Sequence, residues 1–527
     1  MDKKVKIYDT TLRDGSQGEG INFSLPDKIK LAEKLAAFGV DYIEGGWPGS
    51  NNKDIAFFDE AKKKEWGNCK ITAFGSTRRP DTKVEDDPQV KLLLEAETPA
   101  VTFFGKTWLL HVEKVLRTSA DENRSMIFDT VKHLKDHGRE VIYDAEHFFD
   151  GFKDNADYAV MTLKAAADAG ADCLALCDTN GGTLPSEIHN ITQTIAMTLS
   201  DVKIGIHTHN DCGLGVANAI AAVEAGASQI QGTMNGFGER TGNCNLTSIL
   251  PILELKMNTP ALPHEHIKQL RELSDFVDEL ANQNHDPRAP FVGSSAFAHK
   301  GGMHVNAVNK TDVSYEHIEP ESVGNRQRIL VGELSGRTNV MMKATQLGID
   351  LEEKSPEARR ILEKIKELEM SGYEFESADA SFELLVRREL GNDKPFFELE
   401  EYHISVRKNE THGFTNCEGT IKIMLDGVLI HTVANGDGPV NALDAALRKA
   451  LSEKFPAIEK IQLFDYKVRI IDSASGTAAR TRVLIESSDG KHEWGTVGVS
   501  DNVVEASWLA LVDSVEYFLI KGGFTSE

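Results

Sequence analysis

From Lys3 to Gly236, short runs rich in β-branched and aromatic residues alternate with longer stretches whose apolar positions recur every three or four residues. The first pattern suits strands and the second suits amphipathic helices. Eight strands are predicted, at Val5–Asp9, Asp41–Gly45, Cys69–Gly75, Ala100–Gly105, Glu140–Glu146, Asp172–Asp178, Val202–His209 and Ser228–Asn235. Between them, Leu25–Phe38 carries Ile29, Ala32, Leu35 and Ala36 on one stripe, with Ser24 and Asp27 spaced as a capping box and Pro26 in the first turn. Ala-Gly-Ala at 169–171 and at 225–227 supplies a glycine that ends a helix before the next strand. Strand–helix alternation implies a parallel sheet covered by helices, and eight such units fit a closed (β/α)8 TIM barrel. An open dinucleotide-binding sheet would carry Gly-x-Gly-x-x-Gly after the first strand, and the chain has none there. A barrel places chemistry at the C-terminal ends of its strands.

Beyond the barrel the pattern changes twice. Residues 264–345 mix helix with loop, and 351–401 are charge-dense (LEEKSPEARRILEKIKELE), which reads as a solvated helical connector. From Tyr402 the chain is β-rich with helices and repeats itself at an offset of 64. Thr432, Val433, Asp437, Val440, Ala442, Ala446 and Leu447 match Thr496, Val497, Asp501, Val504, Ala506, Ala510 and Leu511. The expected division is therefore a catalytic barrel (1–263), a helical linker region (264–401) and a C-terminal α+β regulatory domain with an internal duplication (402–527). Two copies of one unit imply a pseudo-twofold, a setting for small effectors or for dimerisation.

Composition narrows the class. The 527 residues, 40% hydrophobic and 27% charged, describe an ordinary globular chain. A net charge of −24 argues against a nucleic-acid surface or an anionic membrane as partner. No apolar run approaches the roughly 18 residues of a membrane span. Met1–Val5 leads directly into strand-like sequence without the apolar core of a signal peptide. Six cysteines without a Cys-x-x-Cys pair make no disulfide framework, and Cys173, Cys177, Cys212 and Cys244 read as buried packing. A cytoplasmic enzyme is expected.

Polar residues gather where a barrel would use them. His207 and His209, two apart on strand seven, project from one face while Val202, Ile204 and Ile206 take the other. A carboxylate beside them completes a divalent-metal site, and Asp14, following strand one and so adjacent to strand eight, can supply it. Nitrogen and oxygen ligands without thiolate suit Mg2+, Mn2+ or Zn2+. Arg13 adds a fixed positive charge for a small carboxylate or an enolate, and Glu146, after strand five, is a candidate base.

DTTLRDG (9–15), HTHND (207–211) and GFGERTGN (236–243) resemble the metal-dependent Claisen-condensing and -cleaving barrels, a family that includes α-isopropylmalate, homocitrate and citramalate synthases and HMG-CoA lyase. FAHKGGMH (297–304) and GNRQRILVGELSGRTN (324–339) resemble the condensing synthases. FFGKTWLLHV (103–112), DAEHFFDG (144–151) and CDTNGGT (177–183) are most similar to the branch using pyruvate. The resemblance implies that Asp14, His207, His209 and Asn243 hold the metal and that Arg13 polarises a 2-oxo acid. It further implies that Thr179 binds that acid's carboxylate, and that Glu146 and His304 deprotonate acetyl-CoA. Where many members have Asp two residues after this histidine, the chain has Asn306. The implied reaction condenses acetyl-CoA with pyruvate, in isoleucine biosynthesis, in a homodimer whose C-terminal domain binds isoleucine. Gly436-Asp437-Gly438-Pro439 and Ser475-Gly476-Thr477-Ala478-Ala479 are that domain's recognisable segments. Open alternatives are α-isopropylmalate or homocitrate synthesis by the same machinery, or a catalytically silent amino-acid sensor.

Overall fold

A computed structural model describes residues 4–263, 265–301, 315–332, 335, 337–352, 355–391, 395–409, 414–471, 479–522 and 524. The chain divides into two compact units, one formed by Met1–Phe297 with Glu316–Arg326, the other by Ala298–Tyr315 with Gln327–Glu527.

The first unit is a closed parallel barrel of β1 (Lys6–Asp9), β2 (Tyr42–Gly46), β3 (Lys70–Ser76), β4 (Ala100–Lys106), β5 (Glu140–Glu146), β6 (Cys173–Asp178), β7 (Lys203–Thr208) and β8 (Gln229–Gly232). Closure is made by β1, which pairs Tyr8 with Tyr42 of β2 and Lys6 with Gln229 of β8. All eight predicted strands are present. The helix Leu25–Phe38 begins with the expected reciprocal cap, Ser24 accepting from the Asp27 backbone while the Asp27 side chain accepts from Ser24. Period-two alternation sorts each strand into two sets. Outward residues such as Ile7, Ile43, Leu174, Ile204 and Ile230 join the large core beneath the helices. Inward residues fill the barrel, where Tyr8, Tyr42, Ala100, Ile142, Cys173 and Ala175 form a plug. On β5 the inward set continues through Asp144 to Glu146, and on β7 through His207 to His209. The polar mouth thus extends a packed interior.

In the second unit, β9 (Ala298–His299) and β10 (Arg328–Ile329) make a short parallel ladder. The segment expected to be a solvated connector is instead half-buried. Its helices Pro356–Met370 and Asp379–Glu389 place Ala358, Ile361, Ile365, Phe382 and Val386 in one core with Val497. High charge density masked a normal apolar stripe, while pairs such as Arg359–Glu363 face solvent. The first strand of the duplicated region begins at Glu398. That region forms two antiparallel sheets, β11 (Glu398–Asn409), β12 (Phe414–Leu425) and β13 (Val428–Gly436), then β14 (Gln462–Ile470), β15 (Thr481–Ser488) and β16 (Glu493–Ser500). Each sheet is followed by a helix, Pro439–Leu451 or Val503–Lys521. The repeat extends to single bonds: Thr432 Oγ1 donates to Ala446 O at 2.9 Å, and Thr496 Oγ1 donates to Ala510 O at 2.8 Å. Each hydroxyl ties a strand to its helix. Among the described residues no helix is long and apolar enough to cross a membrane.

Thr496→Val keeps the volume and removes that bond, so it is expected to destabilise the second unit by about 1 kcal/mol, read as a lower urea midpoint. Thr432→Val, less buried, should cost less than Thr496→Val.

Candidate functional site

Asp14 follows β1 in a tight turn, where Thr10 O accepts from both Arg13 N (3.2 Å) and Gly15 N (3.1 Å). Thr11 Oγ1 accepts from Met234 N at 2.9 Å, which stitches this turn to the loop after β8. Asp14 is thereby brought to the two histidines. His207 Nε2 lies 3.4 Å from Asp14 Oδ2 and 3.4 Å from His209 Nε2. One ligand atom from each of these three buried residues falls within 4.8 Å of the others. Asn243 is carried back against β7 by a bridge to His209. This return is tight: Gly238 has φ +150°, and a Cβ there would sit 2.1 Å from Asn243 Nδ2. Asn243 Nδ2 donates to Phe237 O at 3.1 Å, while its buried Oδ1 has no hydrogen-bond partner among the described residues.

Charge at this cluster is strongly biased. Burial opposes ionisation of Asp14, yet Arg13 and then His207 hold its carboxyl well below the usual carboxylate range. His209 is driven down to about 3 by burial and by the neighbouring His207, which keeps it neutral. Burial also opposes a charged His207, but Asp14 raises its proton affinity. A cation between these atoms would relieve the same juxtaposition, and an imidazole–imidazole–carboxylate set with a spare amide oxygen fits a divalent metal.

Arg13 is immobilised above the cluster. Its Nε donates to Glu44 Oε1 at 2.5 Å, its Nη1 lies 3.3 Å from Asp14 Oδ2, and its guanidinium stacks 3.8 Å from the Phe74 ring centre. The fully buried Glu44 also accepts from Thr10 Oγ1 at 2.6 Å and from the Tyr8 hydroxyl. Thr179 Oγ1 accepts from His147 N at 2.8 Å, which leaves its hydroxyl hydrogen for another acceptor. Arg240 donates to Thr179 O at 2.8 Å and pairs with Asp211 through two bonds. Glu146, in register with Lys106 of β4, forms an ion pair with it.

These groups converge on one cavity of about 250 Å³. Arg13, Asp14, Glu146, Thr179, His207 and His209 all line it, together with an apolar wall of Trp47, Phe74 and Phe104. The three rings contact one another with centroids 5.7–5.8 Å apart. His304 and Asn306 lie outside the described residues, as do positions 475–478. Among the cysteines, Cys173, Cys177 and Cys244 are buried as expected, and burial raises their thiols. Cys212 is exposed, because it follows β7 in a surface loop instead of packing. No motif singled out Glu44, Lys106, Gln231 or the aromatic wall, and Asp144 was visible only as a polar residue at the end of strand five. Alternation was the available signal, since each of Glu44, Lys106, Asp144 and Gln231 shares the inward set of its strand.

The HMGL-like family profile matches residues 4–277, the homocitrate synthase post-HMGL domain-like profile 291–372, and the LeuA allosteric (dimerisation) domain profile 376–519. The chain is 54% identical over 521 residues to the (R)-citramalate synthase of Aquifex aeolicus, covering 99% of each. It is 52% identical over 517 residues to that of Geobacter sulfurreducens, covering 98% of each. Against the 2-isopropylmalate synthase of Pyrococcus furiosus it is 30% identical over 521 residues, covering 98% of this chain and 99% of that protein.

Asp14→Ala is expected to abolish saturable Mn2+ binding by calorimetry, and Asn243→Ala to weaken it while leaving a measurable site. Undiminished binding in Asp14→Ala would place the ion elsewhere.

Proposed function

The chain belongs to the HMGL-like family, grouping at full length with its (R)-citramalate synthases, and from that premise we propose that it condenses acetyl-CoA with pyruvate to give (R)-citramalate. The observation carrying this reading is the buried Asp14–His207–His209 cluster under the Arg13 guanidinium, in a cavity that Glu146 and Thr179 share. A divalent cation, Mg2+ or Mn2+ by preference and Zn2+ as the other choice, held by Asp14, His207, His209 and Asn243, would supply Lewis-acid polarisation of the oxo acid.

The remaining work falls to side chains. Arg13, fixed by Glu44 and Phe74, presents preorganised positive charge where negative charge develops on the oxo oxygen. Thr179, whose acceptor is occupied by His147 N, donates its hydroxyl to the pyruvate carboxylate. Glu146, with His304, removes a methyl proton from acetyl-CoA, and the resulting carbon nucleophile bonds to C2 of pyruvate. Water then cleaves the thioester, releasing CoA and making the condensation irreversible. The ring wall of Trp47, Phe74 and Phe104 supports a substrate with a short alkyl group. Full-length identity to pyruvate-using relatives supports the same choice over 2-oxoisovalerate.

The duplicated C-terminal region, with its match to an allosteric dimerisation domain, supports a homodimer regulated by isoleucine, the end product of the pathway that citramalate enters. We place the enzyme in the cytoplasm and divide it into a catalytic barrel, a linker region contributing His304 and a regulatory domain.

The test is CoA release by metal-replete enzyme offered acetyl-CoA with pyruvate, 2-oxoisovalerate or 2-oxoglutarate. Pyruvate should be preferred by at least the roughly 10-fold that one methylene is worth in such a pocket. Preference for 2-oxoisovalerate would move the assignment to isopropylmalate synthesis. Glu146→Gln should lower kcat by about 10²–10⁴-fold with pyruvate KM little changed. Isoleucine should inhibit, and indifference to isoleucine, leucine and valine alike would remove the regulatory reading.

A further inference from the structure

Behind the metal cluster runs a chain of side chains to which the proposed reaction gives no role. His207 Nδ1 lies 2.9 Å from Gln231 Oε1, and Gln231 Nε2 donates to Asp144 Oδ1 at 2.8 Å. All three residues are buried. They come from three strands: His207 on β7, Gln231 as its register partner on β8, and Asp144 across the barrel on β5. The inward alternation of each strand brings them into line.

Polarity along this chain is determined from its Asp144 end. An ionised Asp144 can only accept. Burial pushes its carboxyl up to about 7, against the opposing pull of His207, but a proton carried on Oδ2 still leaves Oδ1 an acceptor. With Oδ1 accepting from Gln231 Nε2, the amide turns its NH2 toward Asp144 and its oxygen toward His207. That oxygen accepts, so His207 Nδ1 carries the hydrogen, and in the neutral ring that ligates a metal it is Nε2 that keeps the lone pair. Nε2 is the atom that faces Asp14 and His209, each at 3.4 Å. His209 has no equivalent support, for its buried Nδ1 has no hydrogen-bond partner among the described residues. Of the two imidazoles, His207 is the one whose tautomer and ring plane are set from behind.

We propose that Gln231, oriented by Asp144, is a positioning residue that locks His207 in the form that ligates through Nε2, and that divalent-cation affinity depends on this lock. The proposal rests on the metal reading of the Asp14–His207–His209 cluster. A histidine ligand whose outer nitrogen is held by a hydrogen-bond acceptor is oriented before the ion arrives, and losing that acceptor costs metal affinity.

The experiment titrates metal-stripped full-length protein with Mn2+ and follows the free-ion signal by electron paramagnetic resonance, alongside the melting temperature of the metal-free form. Gln231→Met, similar in length but without an acceptor amide, is expected to raise the Mn2+ Kd by about 10–100-fold. Gln231→Glu restores an acceptor to Nδ1 and should recover most of that loss. Wild-type affinity in Gln231→Met would overturn the proposal. So would a Gln231→Glu variant as weak as Gln231→Met, or a loss of affinity that tracks a lowered metal-free melting temperature. If Gln231→Met does not fold, Gln231→Leu makes the same comparison. Asp14→Ala separates the two levels: unchanged Mn2+ binding there overturns the metal reading and this inference with it, whereas lost binding there beside unaffected Gln231→Met overturns this inference alone.

Discussion

Asp14, Glu44 and Asp144 are carboxyls withdrawn from water at the mouth of one barrel, and two imidazoles are buried among them. Charge placed there must be compensated within the protein, because burying an unpaired ion costs several kcal/mol. Arg13 compensates in two directions, toward Glu44 below it and Asp14 beside it, and Phe74 closes the guanidinium's face. Glu44 in turn gathers the Tyr8 and Thr10 hydroxyls, which ties the charged mouth to the packed barrel interior. The Nε2 atoms of His207 and His209 and the Asp14 carboxylate meet within 4.8 Å of one another. On the proposed reading a divalent cation would complete that balance, so electrostatic compensation in the fold and Lewis-acid chemistry in the reaction would place the same demand on the site.

Barrel closure gives that balance its geometry. The ladder between β1 and β8 sets the Asp14 turn beside the loop carrying Asn243, and the Thr11–Met234 bond holds the two loops together. The glycines of that loop let it fold back closely enough for Asn243 to reach β7. Asp14 and Asn243 therefore come from the loops after β1 and β8 and the two histidines from the end of β7, all on a common rigid frame, which suits a site that must exist before its substrate arrives.

Most of the barrel was legible in the sequence because strand alternation and helix caps are local. His207 and His209 stood out for the same reason: two imidazoles at i and i+2 announce their common face. Glu44, Asp144 and Gln231 did not, although they occupy the same inward face. A single polar residue inside an apolar strand has no local partner to mark it, and its significance appears only when strands distant in sequence become neighbours. The charge-dense segment after residue 351 failed for a different reason. Its ionic residues outnumber the few apolar positions at helical spacing, yet those few bury against the second of the two duplicated sheets. In the duplication itself, residue matches at a fixed offset foretold matching hydrogen bonds, because Thr432 and Thr496 solve the same strand-to-helix problem. The ring wall of Trp47, Phe74 and Phe104 was the least legible feature, being assembled from the ends of β2, β3 and β4.

The most direct measurement of the central claim, that the compensated mouth is a metal centre, is anomalous diffraction from crystals equilibrated with Mn2+, with data collected at the manganese edge. The account predicts one dominant anomalous peak within bonding distance of Asp14, His207 and His209. A fully loaded crystal whose dominant peak lies elsewhere, or with no peak at this cluster, would contradict it.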